Sequence, residues 1–170
     1  MHLHDKKHFR ISVIGTVHAE NGCANVAALQ SILNRIQPEV IFAEIDSENL
    51  ASYIKGSHGN LESEAVAFYR EHRPVNVIPV DSKQPSSEFL KKSREMFNKV
   101  ERTSSVYRHL VDQHSLDTRN HGFSYLNSAH CEHAWTYIFR EVFETIEWIG
   151  EPNLQLIYKS WREINEQRES

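Results

Sequence analysis

The amino-acid sequence predicts an α/β fold: a parallel sheet of at least three strands in β-α-β-α-β order over residues 9–82, then a mostly helical portion over 83–170. Three observations predict it. Three short runs are rich in β-branched residues, two stretches with helical spacing separate them, and after Asp81 the apolar residues recur only at helical intervals.

The first predicted strand is Phe9, Ile11, Val13, Ile14 and Val17, ended by Gly15, Thr16 and His18. The second is Val40 to Ile45 and the third Val75 to Val80, each a near-continuous apolar run of the kind buried in parallel sheets. Between the first two, Val26, Leu29, Ile32, Leu33 and Ile36 recur at three- and four-residue spacing, and Pro38 follows as a stop signal. Between the second and third, a loop from Gly56 to Asn60 precedes Leu61, Ala65, Phe68 and Tyr69, and Pro74 ends that segment. Parallel neighbours need a crossover of a dozen or more residues, usually helical, so this order implies three strands pointing the same way.

Beyond Asp81, Gln84-Pro85-Ser86-Ser87 reads as a break and a helix start, and Phe89 to Val111 as one or two helices reaching about Ser115. The stretch from His114 to Ser128 is polar and irregular and reads as a loop. Trp135, Ile138, Phe139, Val142, Phe143, Ile146 and Ile149 make the clearest helical stripe, closed by Gly150 and Pro152. A last helix carries Leu154, Ile157, Tyr158, Trp161 and Ile164.

At 170 residues and 39% hydrophobic, the chain is long enough for one domain with a core, residues 1–170. A net charge of -4 gives no electrostatic reason to expect nucleic acid or an anionic membrane and fits a neutral or cationic small partner; the expected partner is a small-molecule or peptide substrate. No run approaches a membrane span and the start lacks a signal-like apolar core, so a cytoplasmic location is expected. The two cysteines, Cys23 and Cys131, form no disulfide framework and read as reduced thiols.

Ligands in open α/β sheets bind outside the carboxyl ends of the strands, and the three predicted strands end in His18, Glu44 and Asp81. An imidazole can bind a metal or act as a general base, and a carboxylate within an apolar strand needs a cation or a donor. His18, Glu44 and Asp81 are therefore the candidate catalytic residues, with His18 and Glu44 as ligands of a divalent metal such as Mn²⁺, Zn²⁺ or Mg²⁺. Gly15 lets backbone approach a ligand closely, and His121, Tyr125 and Asn127 on the polar loop are the candidate substrate-binding residues.

Ile11 to His18, then a helix, then Gln37-Pro38-Glu39-Val40-Ile41-Phe42-Ala43-Glu44-Ile45, resembles the opening of the TraB, TIKI and GumN superfamily, to which erythromycin esterase-like and ChaN-like proteins are related. Val75 to Asp81 resembles that family's third strand with its terminal aspartate. The resemblance implies a central sheet whose cleft is formed by Gly-x-x-His and a strand-end glutamate, here Gly15, His18 and Glu44. It also implies a metal-dependent hydrolase of amide or ester bonds. The family pattern carries a second Gly-x-x-His in a later strand that this sequence lacks, which implies a truncated or a reduced relative. The alternative is a non-catalytic ligand-binding or regulatory protein that keeps the fold and forms a homodimer through the aromatic helix.

A separate candidate is His130-Cys131-Glu132-His133, where His130 and His133 share a helix face and Cys131 sits near a helix N-terminus. The expectations there are a metal or redox sensor, a nucleophilic thiol, or simply a solvated helix start.

Overall fold

The structure, a computed structural model, describes residues 10–81 and 85–168; Phe9 and Gln84, which enter the reading above, lie outside the described residues. Among the described residues the chain is mostly helical. The elements in order are α1 Val26–Ile36, β1 Val40–Ala43, α2 Leu50–Tyr53, α3 Leu61–His72, β2 Asn76–Pro79, α4 Ser87–Thr103, α5 Ser105–His121, α6 Phe123–Leu126, α7 Ala129–Ile149 and α8 Pro152–Arg168.

Local chemistry sets most of these boundaries. Asn25 caps α1 by accepting the Ala28 N–H at 2.9 Å, and Gln37, in the left-handed region at φ 54°, ends that helix just before Pro38. Asn60 caps α3 in the same way through the Ser63 N–H at 2.9 Å. Ser104 ends α4 and starts α5: its hydroxyl accepts the Tyr107 N–H at 3.0 Å and donates to Glu141 Oε1 at 2.7 Å, which ties the junction to α7. Gly150, at φ 68°, closes α7.

β1 and β2 are parallel, in register from Val40 opposite Asn76 to Ala43 opposite Pro79. α1 and α3 pack against each other over one face of this pair, where Ala43 and Val77 join Leu29, Leu33, Ala65, Val66 and Tyr69 in a core. A second core lies between α4, α7 and α8, around Met96, Val100, Val142, Ile146 and Leu154.

Three expectations are corrected. Among the described residues the sheet has two strands, and the described part of the first predicted strand joins no ladder: Ile11 and Val13 are 87% and 90% exposed. At its end the backbone groups of Gly15 and His18 have other partners. Gly15 N–H donates to Asn127 Oδ1 at 2.6 Å and Gly15 C=O accepts from Asn127 Nδ2 at 3.1 Å, while His18 C=O accepts the Leu61 N–H at 2.9 Å. Among the described residues of that run, only Ile14 and Val17 pack on the core. Among the described residues the fold is therefore not a three-stranded α/β sheet but a mostly helical arrangement with one β-α-β unit. Second, β1 is buried on one face only; Phe42, on the other, is 67% exposed because no helix among the described residues covers that side. Third, the polar stretch from His114 is helical, since α5 runs on to His121 and α6 follows at once.

Candidate functional site

Glu44 and Asp81 reach the same edge because the parallel register continues past the strands: Val80 N–H donates to Ala43 C=O at 3.0 Å and Asp81 N–H to Ile45 C=O at 3.2 Å. His18 arrives by a different route, through its carbonyl on the first N–H of α3 and the Asn127 clamp on Gly15. The three residues line one cleft of about 410 Å³. The start of α4 and the end of α8 form its far wall through Phe89, Leu90, Ser93, Trp161 and Ile164. Asp46, His58 and Asn60 complete the near side.

Within the cleft the carboxylate partner of His18 is not Glu44. Nδ1 of His18 lies 3.3 Å from Glu62 Oε1, and the same oxygen accepts the Thr16 hydroxyl at 2.8 Å. The His18 side chain is 81% exposed and that of Glu62 only 12%; Glu62 Oε2 is buried and has no hydrogen-bond partner. A carboxylate facing Nδ1 favours the tautomer with its proton there, which leaves Nε2 as a proton acceptor. Glu44 itself is exposed one residue past β1, so the cost of burying a charge in a strand, which drew attention to it in the sequence, does not arise.

The donor set among the described residues does not fit a resident metal ion. Among the described residues no three His, Cys, Asp or Glu side chains gather at ligand spacing, and the His18 Nδ1 faces Glu62 rather than Glu44. Asp46 is held below the usual carboxylate range, chiefly by the Asn49 side-chain amide at 2.8 Å and then by the Asn49 backbone N–H at 2.8 Å, so it remains an anion near neutral pH.

The four candidate substrate-binding residues lie outside the cleft lining. Asn127 and Gly15 form a structural clamp, since Asn127 Nδ2 also donates to Phe123 C=O at 2.9 Å and fixes the amide in place. His121 is the exposed last residue of α5, and its carbonyl accepts the Ser124 hydroxyl at 2.6 Å. Tyr125 is buried, its hydroxyl 2.9 Å from His114 Nδ1, and desolvation pushes its pKa up to about 12.

The histidine and cysteine segment does not converge either. Cys131 is buried and its thiol is pushed up by desolvation, the opposite of a reactive thiolate, while His130 and His133 are exposed.

His114, wedged between Tyr125 and Trp135, makes the one testable pH effect in this region. Desolvation lowers its pKa, opposed by Asp117, so below the unfolded value near 6.5 the unfolded chain binds more protons than the folded one. Stability from this group is therefore complete above that pH and falls as pH drops toward the lowered folded value. Thermal unfolding is expected to shift down between pH 7 and pH 5, and less so in His114→Gln; equal shifts in both chains would refute the assignment.

Glu62 was not legible as a site residue, because an acid in the first turn of a helix has an ordinary explanation in the helix dipole. Phe89, Trp161 and Ile164 read as helix residues and Ser93 carried no signal, and only the packing of α4 on α8 brings them together in the cleft lining. Among the described residues no helix is long and apolar enough to cross a membrane. Compared with known protein families, curated proteins and solved structures, the chain matches none.

Proposed function

We propose that the chain is a hydrolase of amide or ester bonds whose site is the cleft at the carboxyl ends of β1 and β2, with His18 as general base. The observation that carries this reading is the pairing of an exposed imidazole in the cleft with a largely buried carboxylate, His18 Nδ1 to Glu62 Oε1 at 3.3 Å. In that arrangement Nε2 takes a proton from water, the water oxygen attacks the substrate carbonyl, and Glu62 stabilises the imidazolium that forms. At 3.3 Å the two groups are in ion-pair contact and not hydrogen-bonded, and catalytic contacts are often loosely aligned before substrate binds. The likeness of Gly15 to His18 and of Glu44 to the TraB, TIKI and GumN pattern supports the same class of reaction, and no step here is routed through a metal.

A second reading, a ligand-holding protein without turnover that associates with itself, is favoured by the apolar surface left open. Trp148 on α7 is 79% exposed, and Phe42 and Val80 stand on the uncovered face of the sheet. One experiment separates the two: a panel of p-nitrophenyl esters and amino-acid p-nitroanilides assayed with EDTA present, with the mass in solution measured on the same sample. Turnover that survives EDTA supports the hydrolase. Silence across the panel together with a dimer decides for the second reading, and turnover that EDTA abolishes overturns the metal-free route.

A further inference from the structure

A carboxylate beside a general base is useful only if it is held still. Glu62 carries a long side chain on the first turn of α3, and it faces, at 3.3 Å, an imidazole that is 81% exposed. That contact by itself fixes neither group, because holding a long side chain costs rotational freedom and an exposed ion pair contributes little. Glu62 Oε2 is buried and has no hydrogen-bond partner. The polar contacts of this carboxylate are therefore made by Oε1, with the Thr16 hydroxyl at 2.8 Å and with His18 Nδ1.

The backbone on both sides of Thr16 is tied down. Asn127 clamps Gly15 through bonds of 2.6 Å and 3.1 Å, and the His18 carbonyl accepts the Leu61 N–H at 2.9 Å. The last of these bonds brings the start of α3, and Glu62 with it, beside residues 15–18. Thr16 is half-buried and β-branched, so its side chain has few rotamers to choose from. Its hydroxyl is a donor in a set place, and the longer Glu62 side chain adapts to it.

An acid in the first turn of a helix ordinarily turns to a free backbone N–H or to water. Here the Ser63 N–H is already taken by Asn60 Oδ1 at 2.9 Å, and the Glu62 side chain is only 12% exposed. The bond from Thr16 is charge-assisted and so of the stronger kind. It keeps Oε1 where that oxygen also faces Nδ1, which favours the imidazole tautomer with its proton on Nδ1 and Nε2 bare.

We infer that Thr16 is a positioning residue of the site: its hydroxyl orients Glu62 on His18 and thereby sets the His18 tautomer. Gly15-Thr16-Val17-His18 then supplies both the base and the group that prepares it. The inference rests on the hydrolase reading for the use made of Nε2, whereas the tautomer is a property of the resting chain and is measured without substrate.

Nitrogen NMR of the imidazole rings in the full chain, at about pH 8 where histidine is ordinarily neutral, reads that tautomer directly. The His18 ring is identified as the one whose signals vanish in His18→Gln. The parent chain is expected to carry the His18 proton mainly on Nδ1. Thr16→Val keeps the shape of the side chain but lacks the hydroxyl, and should move the proton mainly to Nε2; Thr16→Ser should return it to Nδ1. Thr16→Ala gives the same reading should the valine variant not fold. In turnover, Thr16→Val should lower kcat about tenfold, the loss of one hydrogen bond to a charged group, with KM within about twofold and Thr16→Ser close to the parent. A proton on Nε2 in the parent chain, or a tautomer unchanged without the hydroxyl, overturns the role of Thr16. A tautomer that follows the hydroxyl in a chain that cleaves no ester or anilide overturns the hydrolase alone.

Discussion

Replacing His18 with alanine is expected to lower kcat/KM for ester or amide hydrolysis by about 10²–10⁴-fold, the usual contribution of a positioned general base. The side chain is 81% exposed, so its removal leaves no cavity, and Glu62 Oε1 keeps the Thr16 hydroxyl at 2.8 Å, so the loss of thermal stability should be small beside the loss of turnover. Glu62→Gln probes the partner. It keeps the shape of the side chain but removes the charge facing Nδ1, so kcat should fall more than KM rises, and less than in His18→Ala. Glu44→Ala serves as the contrast, because Glu44 makes no contact with the imidazole at ion-pair distance, and its loss should act on KM. Stopped turnover in Glu44→Ala with normal turnover in His18→Ala would overturn the assignment of the base.

Gly122→Ala is expected to destabilise the chain by roughly 3 kcal/mol or more, read by chemical denaturation. Gly122 joins α5 to α6 at φ 54° and ψ -136°, a region that side-chain-bearing residues rarely adopt. A Cβ there would also lie 2.5 Å from the Cys23 carbonyl oxygen and 2.6 Å from its carbon. Those atoms belong to the loop that Cys23 N–H anchors on the Arg119 carbonyl at 2.8 Å, so the loop cannot retreat without breaking that bond. Gly59→Ala is the control: its φ of 83° imposes similar strain, but nothing lies within 4 Å of the added atom. It should cost only the strain, about 1–3 kcal/mol. Equal losses in the two variants would show that the close approach at Gly122 has no energetic weight.

Where local signals acted alone, the helices were readable. α1 ended at Ile36 before Pro38, α7 ended at Ile149 before Gly150, and the break and helix start read over Gln84-Pro85-Ser86-Ser87 includes Ser86, whose hydroxyl accepts the Phe89 N–H at 3.2 Å in front of α4. α5 was read too short because polar residues from His114 onward carry no apolar stripe; its C-terminal half is held by Thr118 and by packing on α7 rather than by periodicity. The run from Ile11 to Val17 has the composition of a strand, yet a strand exists only if another strand takes its hydrogen bonds. Here Asn127, more than a hundred residues away, takes both backbone groups of Gly15.

The same division runs through the site. Glu44 and Asp81 were legible in the sequence, because apolar runs ending in polar residues mark the carboxyl edge of parallel strands; His18 was read on the same ground, but it reaches the cleft through its carbonyl on the start of α3 and not from a strand end. Which carboxylate faces His18, and what forms the opposite wall of the cleft, was decided only by the tertiary structure. Glu62 meets His18 because α3 begins on the His18 carbonyl, and Trp161 and Ser93 meet the strand ends because α8 packs on α4. Local patterns record short-range hydrogen bonding and burial, whereas these contacts depend on how separate elements dock, which no single stretch of the chain encodes.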